Sequence, residues 1–142
     1  LFIKLFPQRY PFLFICLVTL FSSLPDIDTP KSKIGRKFAF ISVPLSFFVK
    51  HRGITHSIFP VIGLYVLFDY LNLSYLAISL ALGYTSHLLG DGVSKEGINI
   101  LYPFSTISIR GFFRVGSAIE TVIFVGLIIL NFYLLTKMFS FA

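Results

Sequence analysis

Three histidines and six carboxylates are all the chain has, and their spacing singles out a small set of them for chemistry. Asp26 and Asp28 stand two apart in LPDIDTP, where an extended or turning backbone can aim both the same way. His51 and His56 stand five apart in HRGITHS, a spacing that suits a loop entering a helix better than one helical face. His87 and Asp91 in HLLGD are four apart and share one face of a helix. Neutral imidazole and carboxylate are good ligands for Zn²⁺, Mn²⁺ or Fe²⁺, and a bridging aspartate can hold two metals together. Singly, each pair has a plainer reading. An i, i+4 His–Asp pair is more often a hydrogen bond than a ligand set, and Asp-x-Asp after Leu-Pro can cap a turn. Jointly, three histidines and three aspartates on one side of the chain favour a metal site.

The neighbours of these residues extend the set. Arg52 offers a fork of donors for a phosphate or carboxylate, or a contact to a lipid headgroup. Thr55 and Ser57 either orient the imidazoles or cap the following helix, and capping is the better reading for Ser57. Glu120, a carboxylate in the same region of the topology, is with Thr55 an additional candidate for the site. Cys16, the single cysteine, lies in an apolar run and reads as packing.

What must position these groups is a membrane bundle. Of 142 residues, 56% are hydrophobic and only 13% charged, with a mean hydropathy of +0.87. Soluble domains carry roughly a quarter charged residues, so a lipid-embedded chain is expected. Four apolar segments stand out, at about 10–24, 54–71, 73–89 and 118–139, with Pro60 expected to kink the second. Helices are expected because lipid leaves backbone groups no other partner and no alternating pattern is present. The stretch 37–50, with lysine at both ends and Pro44 inside, reads as a short interfacial helix. The expected fold is therefore all-α: an integral membrane bundle of about four spans plus an interfacial helix, one domain over 1–142. The chain opens on Leu1 rather than methionine, so an N-terminal segment is expected to be missing, and the first apolar run reads as a retained helix.

With four spans, the 25–53 and 91–116 connections share one side. That side holds Lys31, Lys33, Arg36, Lys37, Lys50, Arg52, Lys95, Arg110 and Arg114, nine of the twelve basic residues, and by the positive-inside rule it is cytoplasmic. All three histidines and every carboxylate except Asp69 fall there too. Ionisable groups at a membrane helix end are costly to bury and are functional candidates by default. The net charge of +6 does not argue for nucleic acid. KSKIGRK reads as a headgroup-facing patch that also draws anionic lipid toward the site.

Taken together, LPDIDTPKSKIG, HRGITHS, LGYTSHLLGDGVSKEGINILYPF and GSAIE resemble the YdjM family of inner-membrane proteins, described as membrane-bound metal-dependent hydrolases. The resemblance runs from about Leu24 to Glu120. It implies that Asp26, Asp28, His51, His56, His87 and Asp91 are the family's shared polar residues. It further implies a bacterial or archaeal cytoplasmic membrane, and a distant relation to the all-α zinc phospholipase C and P1-nuclease group. One departure is that members usually carry a further histidine ahead of the first apolar run, and nothing before Tyr10 supplies it.

The reading is a membrane-bound metal-dependent hydrolase with its site at the cytoplasmic interface. Its cofactor is a divalent metal, Zn²⁺ or alternatively Mn²⁺, held by Asp26, Asp28, His51, His56, His87 and Asp91. Asp26 serves as bridging ligand or general base, and Arg52 steadies developing negative charge. The expected substrate is a phosphoester of a lipid or lipid-linked molecule; no His-Glu-x-x-His or Gly-x-Ser-x-Gly motif supports a zinc protease or a serine nucleophile. The competing reading is a non-enzymatic ion or metal transporter or a metal-stabilised scaffold. Transporters place polar groups near the bilayer midplane, whereas these gather at one end.

Overall fold

The computed structural model describes residues 10–48, 53–112 and 114–140. Within them the chain forms α1 (Pro11–Ser22), a 3₁₀ turn (Pro25–Asp28), α2 (Lys33–Lys37), α3 (Ala39–Phe48), a second 3₁₀ turn (Ile54–His56), α4 (Ile58–Tyr70), α5 (Ser74–Val93) and α6 (Ala118–Ser140). No strand longer than the isolated Ile98–Ile109 bridge occurs among the described residues. The all-helical expectation holds.

Lengths follow local chemistry. Proline at the first turn starts α1, where its missing N–H has no intrahelical use. Ser32 caps α2, its Oγ accepting from Gly35 N at 2.8 Å. The short helix expected over 37–50 is present as α3, and Phe38, whose φ of −111° and ψ of 43° leave the helical region, separates it from α2. Pro44 lies inside α3, but Pro60 does not kink α4. Because α4 begins at Ile58, Pro60 falls in the first turn, where a missing N–H breaks no bond. Asn72 closes the turn between α4 and α5 at a φ of 58°, a conformation asparagine tolerates, while Ser74 Oγ donates to Asp69 Oδ1 at 3.2 Å.

α1 and α5 run in parallel. Tyr75 OH donates to Tyr10 O at 2.6 Å near their starts, and Gly83 meets the α1 backbone at Val18 further along. α4 returns antiparallel to α5 after the tight turn. Val61, Tyr84, Leu88 and Ile98 form a buried core beneath one end of this three-helix unit. The 94–112 connection covers that end: Ile58 N donates to Ile100 O at 2.9 Å and Gly111 N to Ser94 O at 2.8 Å. α1 and α5 both end there and α4 begins there, so one end collects the polar residues.

The surface is apolar to an extent water does not reward. Phe12, Phe40, Phe47, Phe48, Ile62, Val66, Val122, Ile129 and Phe132 are all more than half exposed, which fits a lipid environment. Among the described residues one segment, Pro11–Asp28, is both long and apolar enough to cross a bilayer by itself. α4 has 13 residues, about 20 Å at 1.5 Å per residue, short of the ~30 Å hydrocarbon core. α5 has the length at 20 residues but carries His87, Asp91 and four serine or threonine residues. The expectation of four full spans is not confirmed: among the described residues there is one clear span, beside shorter or more polar helices.

Candidate metal centre

Three separate stretches of chain deliver the site. The Leu24-Pro25 step turns the chain out of α1 into the 3₁₀ turn that carries Asp26 and Asp28. The Ile54–His56 turn, just ahead of α4, carries Thr55 and His56. The last turns of α5 carry His87 and Asp91.

His56 is fully buried at the centre. Its Nε2 lies 3.4 Å from Asp91 Oδ2 and 3.9 Å from Asp26 Oδ1. His87 Nε2 lies 3.6 Å from Asp91 Oδ2 and 3.8 Å from Asp26 Oδ1. The two rings are 5.4 Å apart, centroid to centroid, at 64°. Asp26, His56 and His87 each present one ligand atom within 4.8 Å of the others. His87 Nε2 is buried and meets no hydrogen-bond partner among the described residues. Asp26 is the outermost member, its side chain 40% exposed.

Asp28 faces the other way. Its carboxylate is 1% exposed and takes a hydrogen bond from Thr55 Oγ1 at 2.5 Å. His56 Nδ1 lies 3.4 Å from the same Asp28 Oδ2 and 3.2 Å from Thr55 Oγ1. The expectation that both aspartates point alike is corrected: a 3₁₀ turn of about three residues per turn sends positions i and i+2 in different directions. Asp26 and Asp28 therefore approach His56 from opposite ring nitrogens.

The remaining expected residues divide. Thr55 is at the site, as a hydrogen-bond donor to Asp28. Ser57 precedes α4, its hydroxyl donating back to Ile54 O at 2.7 Å rather than capping the helix. Glu120 is corrected to a local role: its Oε2 accepts from Gly116 N while Glu120 N donates to Ser117 Oγ at 3.4 Å, a capping arrangement at the start of α6. His56 ends a 3₁₀ turn ahead of α4 and does not lie in that helix's first turn. His51 and Arg52 lie outside the described residues.

Two further residues, outside the set the sequence singles out, support the site. Tyr84 is buried and its hydroxyl donates to Thr55 O at 2.5 Å, pinning the His56 turn to α5. Its position three residues before His87, on the same helical face, is the signal that could have found it. Ser32 Oγ donates to Asp26 O at 2.7 Å, tying the first aspartate turn to the start of α2.

Comparison with known proteins agrees with this picture of a membrane protein. An uncharacterized protein, YvsG, of Bacillus subtilis (strain 168) is 34% identical over 119 residues, covering 82% of this chain and 74% of its own length. The inner membrane protein YdjM of Escherichia coli (strain K12) is 38% identical over 92 residues, covering 56% of this chain and 44% of its own length. The chain thus matches less than half of that relative. No solved structure matches. The family model described as YdjM inner membrane protein matches residues 2–142, and the chain belongs to that family.

Proposed function

We propose that the His56, His87, Asp26 and Asp91 cluster binds a divalent cation, Zn²⁺ or Mn²⁺, and that the protein is a membrane-bound hydrolase of phosphoesters in lipid or lipid-linked substrates. The observation that carries the reading is the meeting of two imidazole Nε2 atoms and two carboxylate oxygens at 3.4–3.9 Å. That spacing exceeds a hydrogen bond. It approaches the ~3.3–3.5 Å separation of tetrahedral ligands that bond a zinc ion at ~2.0–2.1 Å. The donor set is nitrogen and oxygen only, which suits Zn²⁺ and Mn²⁺, and the buried His87 Nε2 supports it as a ligand atom.

Such a cation would polarise a phosphoryl oxygen and acidify water near neutrality. The chain's own residues do the rest. His56, His87 and Asp91 hold the charge in place on rigid elements. Asp26, the most exposed member, is placed to receive a proton from water at the carboxylate oxygen that does not face the cation. Arg52, two residues ahead of the Ile54–His56 turn in the sequence, is the candidate to steady a phosphoryl group. The exposed Lys31, Lys33, Arg36 and Lys37 follow directly on the aspartate turn and favour an anionic headgroup. We further propose that α1, α4, α5 and α6 all cross the bilayer and that the metal end faces the cytoplasm, on the positive-inside argument.

The test is metal analysis and phosphoesterase assay of detergent-purified protein beside His87→Ala and Asp91→Asn. Wild type should carry near-stoichiometric metal and turn over a phospholipid, and both variants should lose both. Full metal content in the variants would overturn the ligand assignment. Metal binding without turnover of any phosphoester would leave a metal-stabilised scaffold instead.

A further inference from the structure

The Asp28 side of His56 carries an inference of its own, which rests on the metal reading above for its consequence but not for its chemistry. Thr55 Oγ1 gives its single proton to Asp28 Oδ2 at 2.5 Å. Toward His56 Nδ1, 3.2 Å away, that hydroxyl then offers only lone pairs. Asp28 Oδ2, 3.4 Å from the same nitrogen, is a carboxylate oxygen and accepts only. Among the described residues both of these neighbours of Nδ1 are acceptors, so toward them Nδ1 supplies the hydrogen. In the neutral ring the lone pair is then on Nε2, which faces Asp91, Asp26 and His87.

We propose that Asp28 and Thr55 are positioning residues that lock His56 in its Nδ1–H tautomer and aim the Nε2 lone pair at the cation, and that Asp28 is not itself a ligand. Tyr84 anchors the arrangement by holding Thr55 O at 2.5 Å. A carboxylate on the far nitrogen of a ligating histidine fixes the ring and raises its basicity, and losing such a partner costs about 10–100-fold in metal affinity. His87 differs. No described residue supplies an equivalent partner, so His56 is the better-organised of the two imidazoles.

The experiment has two arms. Metal-free protein labelled with ¹⁵N-histidine in micelles reports the tautomer directly. His56 is expected as the Nδ1–H form in wild type and as a mixture in Asp28→Ala. Titration with Zn²⁺ and with Mn²⁺ then compares wild type, Asp28→Ala, Thr55→Val and the ligand control His56→Ala. Asp28→Ala should keep the wild-type stoichiometry with affinity lowered about 10–100-fold, and the near-isosteric Thr55→Val should lose about tenfold. A dominant Nε2–H form in wild type overturns the proposal, as does an Asp28→Ala that loses stoichiometry like His56→Ala or binds unchanged. Wild type that takes up neither metal but holds the Nδ1–H form ends the metal reading and leaves the tautomer lock standing.

Discussion

Gly83 of α5 lies against Val18 of α1 so closely that a Cβ at position 83 would fall 2.3 Å from the Val18 carbonyl oxygen. The obstacle is backbone, which cannot swing aside as a side chain tip would. This contact sets the separation of the two parallel helices whose ends carry Asp26 and His87. Gly83→Ala must push them apart, at a cost of about 1–3 kcal/mol for overpacking, and should lower the unfolding temperature and the metal content together. Gly63→Ala in α4 is the control: nothing stands within 4 Å of its Cβ, so it should be neutral or stabilising in the same thermal assay.

Tyr84→Phe removes the hydroxyl that donates to Thr55 O and nothing else of that buried ring. The lost bond should cost about 0.5–1.5 kcal/mol, more if the carbonyl finds no water. The turn holding His56 then loses its tie to α5. Denaturant unfolding should show the stability change, and Zn²⁺ titration a loss of several-fold in affinity with stoichiometry intact. An affinity equal to wild type would mean that Tyr84 only packs.

How much of this was legible in the sequence depends on how strictly local geometry ties spacing to direction. His87 and Asp91 were readable because a regular helix leaves no choice for i and i+4, and they do share a face at 3.6 Å. Asp26 and Asp28 were not, because a 3₁₀ turn cannot be told from an extended segment by composition, and the two carboxylates diverge. Pro60 misled for a related reason: whether it kinks a helix depends on where that helix starts, and the start was hidden in an apolar run. Ser117-x-x-Glu120 has the spacing of a capping box. Side of the membrane groups Glu120 with the site carboxylates, whereas its chain neighbours group it with Ser117. Tyr84 acts through the backbone of Thr55, a partner 29 residues away that no periodicity announces.

Glu120→Gln tests that regrouping. With its carboxylate committed to Gly116 N, Glu120 supports the first turn of α6 and should contribute nothing to metal binding. Glutamine keeps an acceptor for Gly116 N, so the substitution should cost only about 0.3–1 kcal/mol, the range of a lost charge at a helix N-terminus. Metal content should match wild type, in contrast to Asp91→Asn. A fall in bound metal would return Glu120 to the site.

Cation binding should also change how the protein unfolds, because the cluster draws its members from three stretches of chain. Asp26 lies on the turn after α1, His56 on the turn before α4, and His87 and Asp91 at the end of α5. An unfolded chain holds these residues far apart and binds the ion weakly. Binding to the folded form alone stabilises by about 2.7 kcal/mol at a hundredfold excess over Kd. Added Zn²⁺ should therefore raise the unfolding temperature of chelator-treated wild type in micelles in a concentration-dependent way. His87→Ala should lose most of that shift, since it removes one of the two nitrogen ligands proposed among the described residues. Asp28→Ala should keep a full shift but need about 10–100-fold more metal to reach it. The midpoint of the shift, rather than its size, thus separates a residue that aims a ligand from one that is a ligand.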